Sequence, residues 1–149
     1  MKHVLFASML TLLSSLQTQP ATAQNSDAQA RAQAAAKAVP GNFNFFYVPS
    51  SGAIADQTFI TISKTKGPSS IAKQQGQGIS HSDTEPLVVA VSGPSSRKTV
   101  QVVQDAIKST GKKSLPKLTL IFVGSDDGAK TLDAEVKAVE AAFVSVHYP

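Results

Sequence analysis

A hydroxyl and an amine three residues apart meet on one turn of a helix, where the amine can take the proton of a nucleophilic serine. Ser70 and Lys73 have this spacing, and so do Ser63/Lys66, Ser95/Lys98, Ser109/Lys112 and Ser114/Lys117. Five occurrences in 149 residues point to the abundance of Ser and Lys rather than to a site, and the chain is too short for the penicillin-recognising fold that uses the spacing. Gly78-Ile79-Ser80-His81-Ser82 approaches the nucleophile elbow Gly-x-Ser-x-Gly. Ser82 stands in place of the second glycine, and no apolar strand precedes the turn to hold it strained. His81 and Asp83 are sequence neighbours of Ser80, whereas a triad is assembled from separate segments. A hydrolase built on Ser80 therefore ranks behind the binding readings below.

Gly124-Ser125-Asp126-Asp127-Gly128-Ala129-Lys130-Thr131 misses the phosphate-cradling loop by one residue, with Ala129 where the motif needs Gly. Asp126 and Asp127 would repel phosphate there. At a helix N-terminus the same carboxylates complement the dipole, with a Ser or Asp as cap. Beyond the amino-terminal segment only His81 and His147 remain as imidazoles, at no ligand spacing, and Asp126 and Asp127 are adjacent and diverge. No metal site, paired-acid site or cofactor is expected. The absence of Cys excludes disulfides, thiolate metal sites and a thiol nucleophile.

The elements that would position such groups are read from periodicity. Met1–Ala23 has a short basic start, an apolar core at Val4–Leu16 and a small-residue end at Ala21-Thr22-Ala23. That is the layout of a secretory signal peptide cleaved before Gln24, its apolar run being shorter than a membrane-spanning helix requires. Export places the protein in a bacterial periplasm or outside the cell, with no membrane span after cleavage. The mature chain would carry 13 basic and 10 acidic residues, too small an excess to imply nucleic acid. Residues 24–42 form an Ala-rich helical spacer, with a helix over Asp27–Val39 closed by Pro40-Gly41. Residues 43–149 form a single domain.

Asn42–Val48, rich in Phe, reads as a strand, and in Gln57–Ser63 the residues Thr58, Ile60 and Ile62 alternate with Phe59, Thr61 and Ser63 as in a second strand. The two are expected to pair antiparallel. Residues 64–85 hold only Ile71, Ala72 and Ile79 as apolar side chains and read as a long polar loop. Pro86–Ser92 and Leu118–Val123 are continuous apolar runs, expected of strands covered on both faces. Pro94 opens a helix ended by Gly111, with Val100, Val103 and Ile107 on one side. Leu132, Val136, Val139 and Phe143 make a second helical stripe, and Val144–Tyr148 closes the fold as a strand. The expected fold is α/β, with a small mixed sheet of about five strands. An N-terminal antiparallel pair precedes a parallel βαβαβ unit.

If the crossovers are parallel, the loops after Ser92 and Val123 share the carboxyl edge of the sheet, where such folds usually bind ligands. Ser95, Ser96, Arg97 and Lys98 would then lie near Ser125, Asp126 and Asp127. The first group suits a small anion at a helix N-terminus, the second a cation or amine; surface ion pairing between them is the simpler alternative. Charge is also uneven: Arg97–Lys117 carries +5 and Leu118–Pro149 carries −3. Export and small size favour a non-enzymatic binding or accessory module of a bacterial envelope assembly. It would dock an envelope protein partner through Phe43, Phe45 and Tyr47, the polar loop, or the charged helix. A small-anion-binding protein is the alternative.

Overall fold

The computed structural model describes residues 21–149. The apolar segment expected to direct export, Val4–Leu16, lies outside them. Among the described residues five helices and four strands follow in the order α1 (Ala21–Ala38), β1 (Asn44–Tyr47), α2 (Ala53–Lys66), α3 (Ser70–Ile79), β2 (Leu87–Ser92), α4 (Ser96–Ser109), β3 (Leu118–Gly124), α5 (Asp126–Ala138) and β4 (Ala142–His147). The strands form one sheet in the order β1-β2-β3-β4, and every pair is parallel. Each connection therefore steps the chain one strand further in the same direction. Among the described residues no helix is long and apolar enough to cross a membrane.

The second half matches expectation in element order, but α5 ends at Ala138, so Phe143, expected on its stripe, lies in β4, which starts at Ala142 and not at Val144. Ser95 caps α4 by accepting from the Lys98 amide, and Ser125 caps α5 by accepting from the Gly128 amide, each satisfying a donor that a first turn leaves free. Pro94 precedes the cap instead of occupying the first helical position. Val100, Val103, Ile107, Leu132 and Val136 are buried, and together with Val91, Leu120 and Phe122 they form the larger core between the sheet and α3, α4 and α5.

The first half departs from expectation. Five strands with an antiparallel pair are replaced by a four-stranded, wholly parallel sheet. The segment 57–63 lies within α2, where Asp56, Ile60 and Ser63 are buried at spacings of four and three. Its alternating Thr and Ile residues satisfy both periods over so short a run. On the exposed side Thr58, Thr61 and Thr65 donate their hydroxyls to carbonyls four residues back, so the β-branched residues leave no polar atom in conflict with the helix. Strand β1 consequently has no neighbour in 57–63 and pairs with β2, Asn44 opposite Val89 and Tyr47 opposite Ser92.

The expected polar loop at 64–85 contains α3, followed by a short 3-10 turn at Ser80–Asp83. Ser69 caps α3, and Ala72, Gly76 and Ile79 form its buried stripe. Gly76 lets α3 approach α4 closely: a Cβ there would lie 2.6 Å from Ala106 O and 2.8 Å from Ser109 Cβ. Three small or apolar positions at helical spacing suffice to dock this helix when a glycine admits the neighbouring backbone.

Helix α1 covers most of the Ala-rich segment 24–42. It lies on the sheet face opposite α3, α4 and α5, where Ala35 is fully buried with Ala90, Ile121 and Val123, and Phe43, Phe45, Val144 and Val146 pack around them. The even spread of Ala along this helix gives no strong apolar stripe, but small side chains allow close approach to a flat sheet. The cleavage point expected before Gln24 falls in the first turn of this helix.

Candidate functional site

The parallel sheet brings the two expected segments to one edge. The Ser125 amide donates to Ser96 Oγ at 3.1 Å, tying the α5 cap to the first residue of α4. Ser96, Arg97, Ser125 and Asp127 line one cleft of about 390 Å³, joined by Ile60 and Lys64 from α2, Gln101 and Gln104 from α4, and Thr131 from α5. Val100 and Gly128 also line it. Polar groups of both signs thus surround a small apolar base, with Lys64 and Arg97 as cations and Asp127 as the anion.

The seven expected ligand residues do not all converge. Ser95 is engaged as the α4 cap. Asp126 turns to His147, its Oδ1 2.9 Å from Nδ1. Asp127 is fully exposed and reaches only Lys130, at 4.0 Å. Among the described residues Arg97 forms no ion pair with either aspartate, so the alternative of cross-edge surface pairing is not realised.

Lys98 turns inward. Its Nζ donates to Pro49 O at 2.7 Å and to Asp56 Oδ1 at 3.0 Å, with only 11% of its side chain and 5% of that of Asp56 exposed. The ammonium also lies 5.1 Å from the Phe59 ring centre, within range of a cation–π attraction. Asp56 further accepts from Ser50 Oγ and the Ser51 amide. Burial by itself would raise its pKa, but these hydrogen bonds and the charge of Lys98 outweigh it and hold the carboxyl below its ordinary 3.8. The pair anchors α2 to α4, forming one wall of the cleft. A second buried link joins the same helices: Ser63 Oγ donates to Asp105, which also accepts from Gln101 Nε2 at 3.1 Å.

On the opposite face a polar cluster fastens α1. Arg31, 6% exposed, holds Asp27 through Nε at 2.9 Å, donates from Nη1 to Ser92 Oγ at 3.2 Å and stacks 4.4 Å from the centre of the Tyr148 ring. Tyr47 donates to Asp27 Oδ2 at 2.7 Å. Burial, reinforced by that hydrogen bond and the nearby carboxylate charge, raises the Tyr47 phenol to about 12. No buried polar atom of this cluster lacks a partner, so it reads as an anchor. Of the aromatic residues expected to meet a partner, Phe43 and Phe45 pack against the Ala35 side of the sheet and Tyr47 belongs to this cluster.

The Ser80 group shows no triad geometry. Ser80 Oγ donates to Gln77 O, and Asp83 is held by Lys112 Nζ at 2.6 Å, which lowers its pKa. Among the described residues no group of three or more His, Asp or Glu is placed to hold a metal ion.

Sequence reasoning missed Asp56, Lys64 and Arg31. The Asp27/Arg31 spacing of four was a legible helix pair, but nothing local marks Asp56, which meets Lys98 from 42 residues away. No family model matches the chain, and neither a curated protein nor a solved structure matches it.

Proposed function

We propose that this chain is an exported, non-enzymatic binding module that holds a small molecule bearing an anionic group at the carboxyl edge of its sheet. What supports the reading is the cleft lined by two cations, Arg97 in the first turn of α4 and Lys64 in the last turn of α2. The first-turn amides of α4 and its dipole favour negative charge there, and two cations on separate helices add a field that the helix end lacks by itself. Asp127 at the far side suits an amine or hydroxyl on the same ligand. The cleft's volume, about 390 Å³, matches a metabolite-sized guest.

Thermal unfolding in the presence of inorganic phosphate, citrate and galacturonate tests this reading. A ligand at about 100 times its Kd contributes about 2.7 kcal/mol, which shifts Tm by several degrees in a domain of this size. The shift is expected in the parent and lost in Arg97→Ala. A Tm unmoved by the whole panel would sink the proposal.

A second reading, accessory module of a bacterial envelope assembly, draws on three isoleucines in the outer helices: Ile54 is 87%, Ile62 49% and Ile71 43% exposed. No carboxylate occurs between Gln57 and Ser82, while Lys64, Lys66 and Lys73 do, so the surface suits an acidic, partly apolar protein partner. Crosslinking in the native envelope should recover one stoichiometric protein through this face. Recovery of the chain without a partner would remove this reading and leave the cleft.

A further inference from the structure

Strand β4 is the last in the sheet order, so one side of it carries unpaired main-chain groups. Tyr148 N–H donates to Gly124 O at 3.0 Å, which turns the even-numbered residues of this strand toward β3 and leaves Phe143, Ser145 and His147 presenting their amides and carbonyls outward. Natural edge strands are usually blunted by Lys, Pro or a bulge. Ala142–His147 contains no Lys, Glu, Asp or Pro, and it runs in unbroken register with Thr119–Gly124. On the helix side a groove of about 380 Å³ runs along it, lined by Asp126, Ala129, Lys130, Asp133, Phe143 and Ser145.

The outward stripe of α5 says what fits this edge. Asp126, Lys130, Asp133 and Lys137 alternate in sign at spacings of four, three and four. Such a stripe is complementary to itself when a second copy of the helix runs antiparallel about a two-fold axis between residues 131 and 132. Asp126 then faces the second copy's Lys137, and Lys130 faces its Asp133. The strand independently agrees with that centre. His147 and Asp126 are in contact at 2.9 Å, and from there the helix midpoint lies about 8 Å along the axis. Strand β4 covers this distance in roughly 2.5 residues, reaching Val144–Ser145. An axis through Ser145 is also the one that pairs the outward groups: Ser145 with its own copy, and Phe143 with the second copy's His147. That register supplies about six main-chain hydrogen bonds.

We propose that two copies of this chain join through antiparallel β4–β4 pairing about a two-fold axis at Ser145, with reciprocal ion pairs between their α5 helices. The result is a continuous eight-stranded sheet. Helices packed near each edge strand come about 10 Å apart, an ordinary packing distance, and the groove over Phe143 and Ser145 is the space that separation requires. On the other face the half-buried Val144, Val146 and Tyr148 meet their counterparts, adding apolar contact. The intrachain pair Lys137–Asp133, at 2.8 Å and more than 40% exposed at both ends, exchanges partners at little cost. A two-fold interface closes on itself, so assembly stops at the dimer.

Sedimentation equilibrium of the purified chain from about 5 µM to 500 µM, with Ser145→Pro and Lys130→Glu beside it, tests the proposal. The parent should approach the dimer mass and go no further. Ser145→Pro removes an outward donor without touching a bond to β3, a position where edge strands accept proline; it should remain monomeric with an unchanged far-UV spectrum. Lys130→Glu should weaken the dimer at least tenfold, and Lys130→Glu/Asp133→Lys should restore it. The charge pair keeps the test decisive if the proline variant fails to fold. A parent that is monomeric throughout, a mass that climbs beyond two copies, or a dimer indifferent to these substitutions would overturn the proposal.

Discussion

Replacing Lys98 by Met removes an ammonium and keeps the apolar stem that crosses Phe59. What remains is a carboxylate 5% exposed, still accepting from Ser50 and Ser51, and a Pro49 carbonyl that has lost its donor. Removing one member of a buried ion pair costs about 3–5 kcal/mol, mostly because the other charge stays buried. The two surviving donors place Lys98→Met at the lower end, about 3 kcal/mol. Replacing both members, as Lys98→Met/Asp56→Leu, should recover most of that loss, because the desolvation penalty disappears with the charge. Urea denaturation followed by circular dichroism measures both; the chain has no Trp to report by fluorescence. The pH dependence adds a second check. The Asp56 carboxyl is depressed below 3.8 when folded, so the pair's stabilisation is full above the unfolded pKa and is lost as pH falls through the folded value. The gap between parent and Lys98→Met should therefore narrow below about pH 4. A loss under 1 kcal/mol, which is what an exposed pair gives, or a gap that stays constant from pH 7 to pH 3, would refute the reasoning.

Two further outcomes are expected. A Cβ on Gly93 would stand 2.7 Å from Thr99 Oγ1 and inside contact distance of Val48 O, so Gly93→Ala should cost about 1–3 kcal/mol or more. Gly78→Ala, in α3 with nothing within 4 Å, should stabilise by about 0.5–1 kcal/mol; thermal unfolding of the two variants should move in opposite directions. In an alkaline ultraviolet titration one of the two tyrosines should ionise only near pH 12. That late step should vanish in Tyr47→Phe and shift partway down in Asp27→Asn, burial being the larger cause. Since the neutral phenol is the favoured folded form, its stabilising contribution is full below about pH 10 and is lost as pH rises toward 12.

The cleft at the carboxyl edge was half legible. That Ser96, Arg97, Ser125 and Asp127 would meet followed from strand order, because parallel crossovers return each loop to the same edge. That Lys98 would leave the site, and Lys64 enter it, did not follow. A lysine on an amphipathic helix reads as solvated until a carboxylate from another helix offers it a buried partner. Asp56 is such a partner only because 53–66 is helical. One misassigned element therefore displaced two residues of the cleft as expected from the sequence.

What this chain's sequence determined unaided is the strand and helix alternation from Leu87 onward, where the periods are long; the cap of α4 at Ser95 in place of Pro94, and the placing of Phe143 in β4 in place of α5, were not legible there. The tertiary structure alone decided the rest. The run of Thr and Ile in 57–63 satisfies two periods, and packing of Ile60 and Ser63 toward α4 selects the helical one. Helix α1 carries almost no apolar stripe and is docked by the buried Arg31 cluster, while α3 carries a short stripe of Ala72, Gly76 and Ile79 whose glycine admits the α4 backbone. Periodicity records the contacts an element makes along its own length; it is silent about contacts whose partners lie tens of residues away.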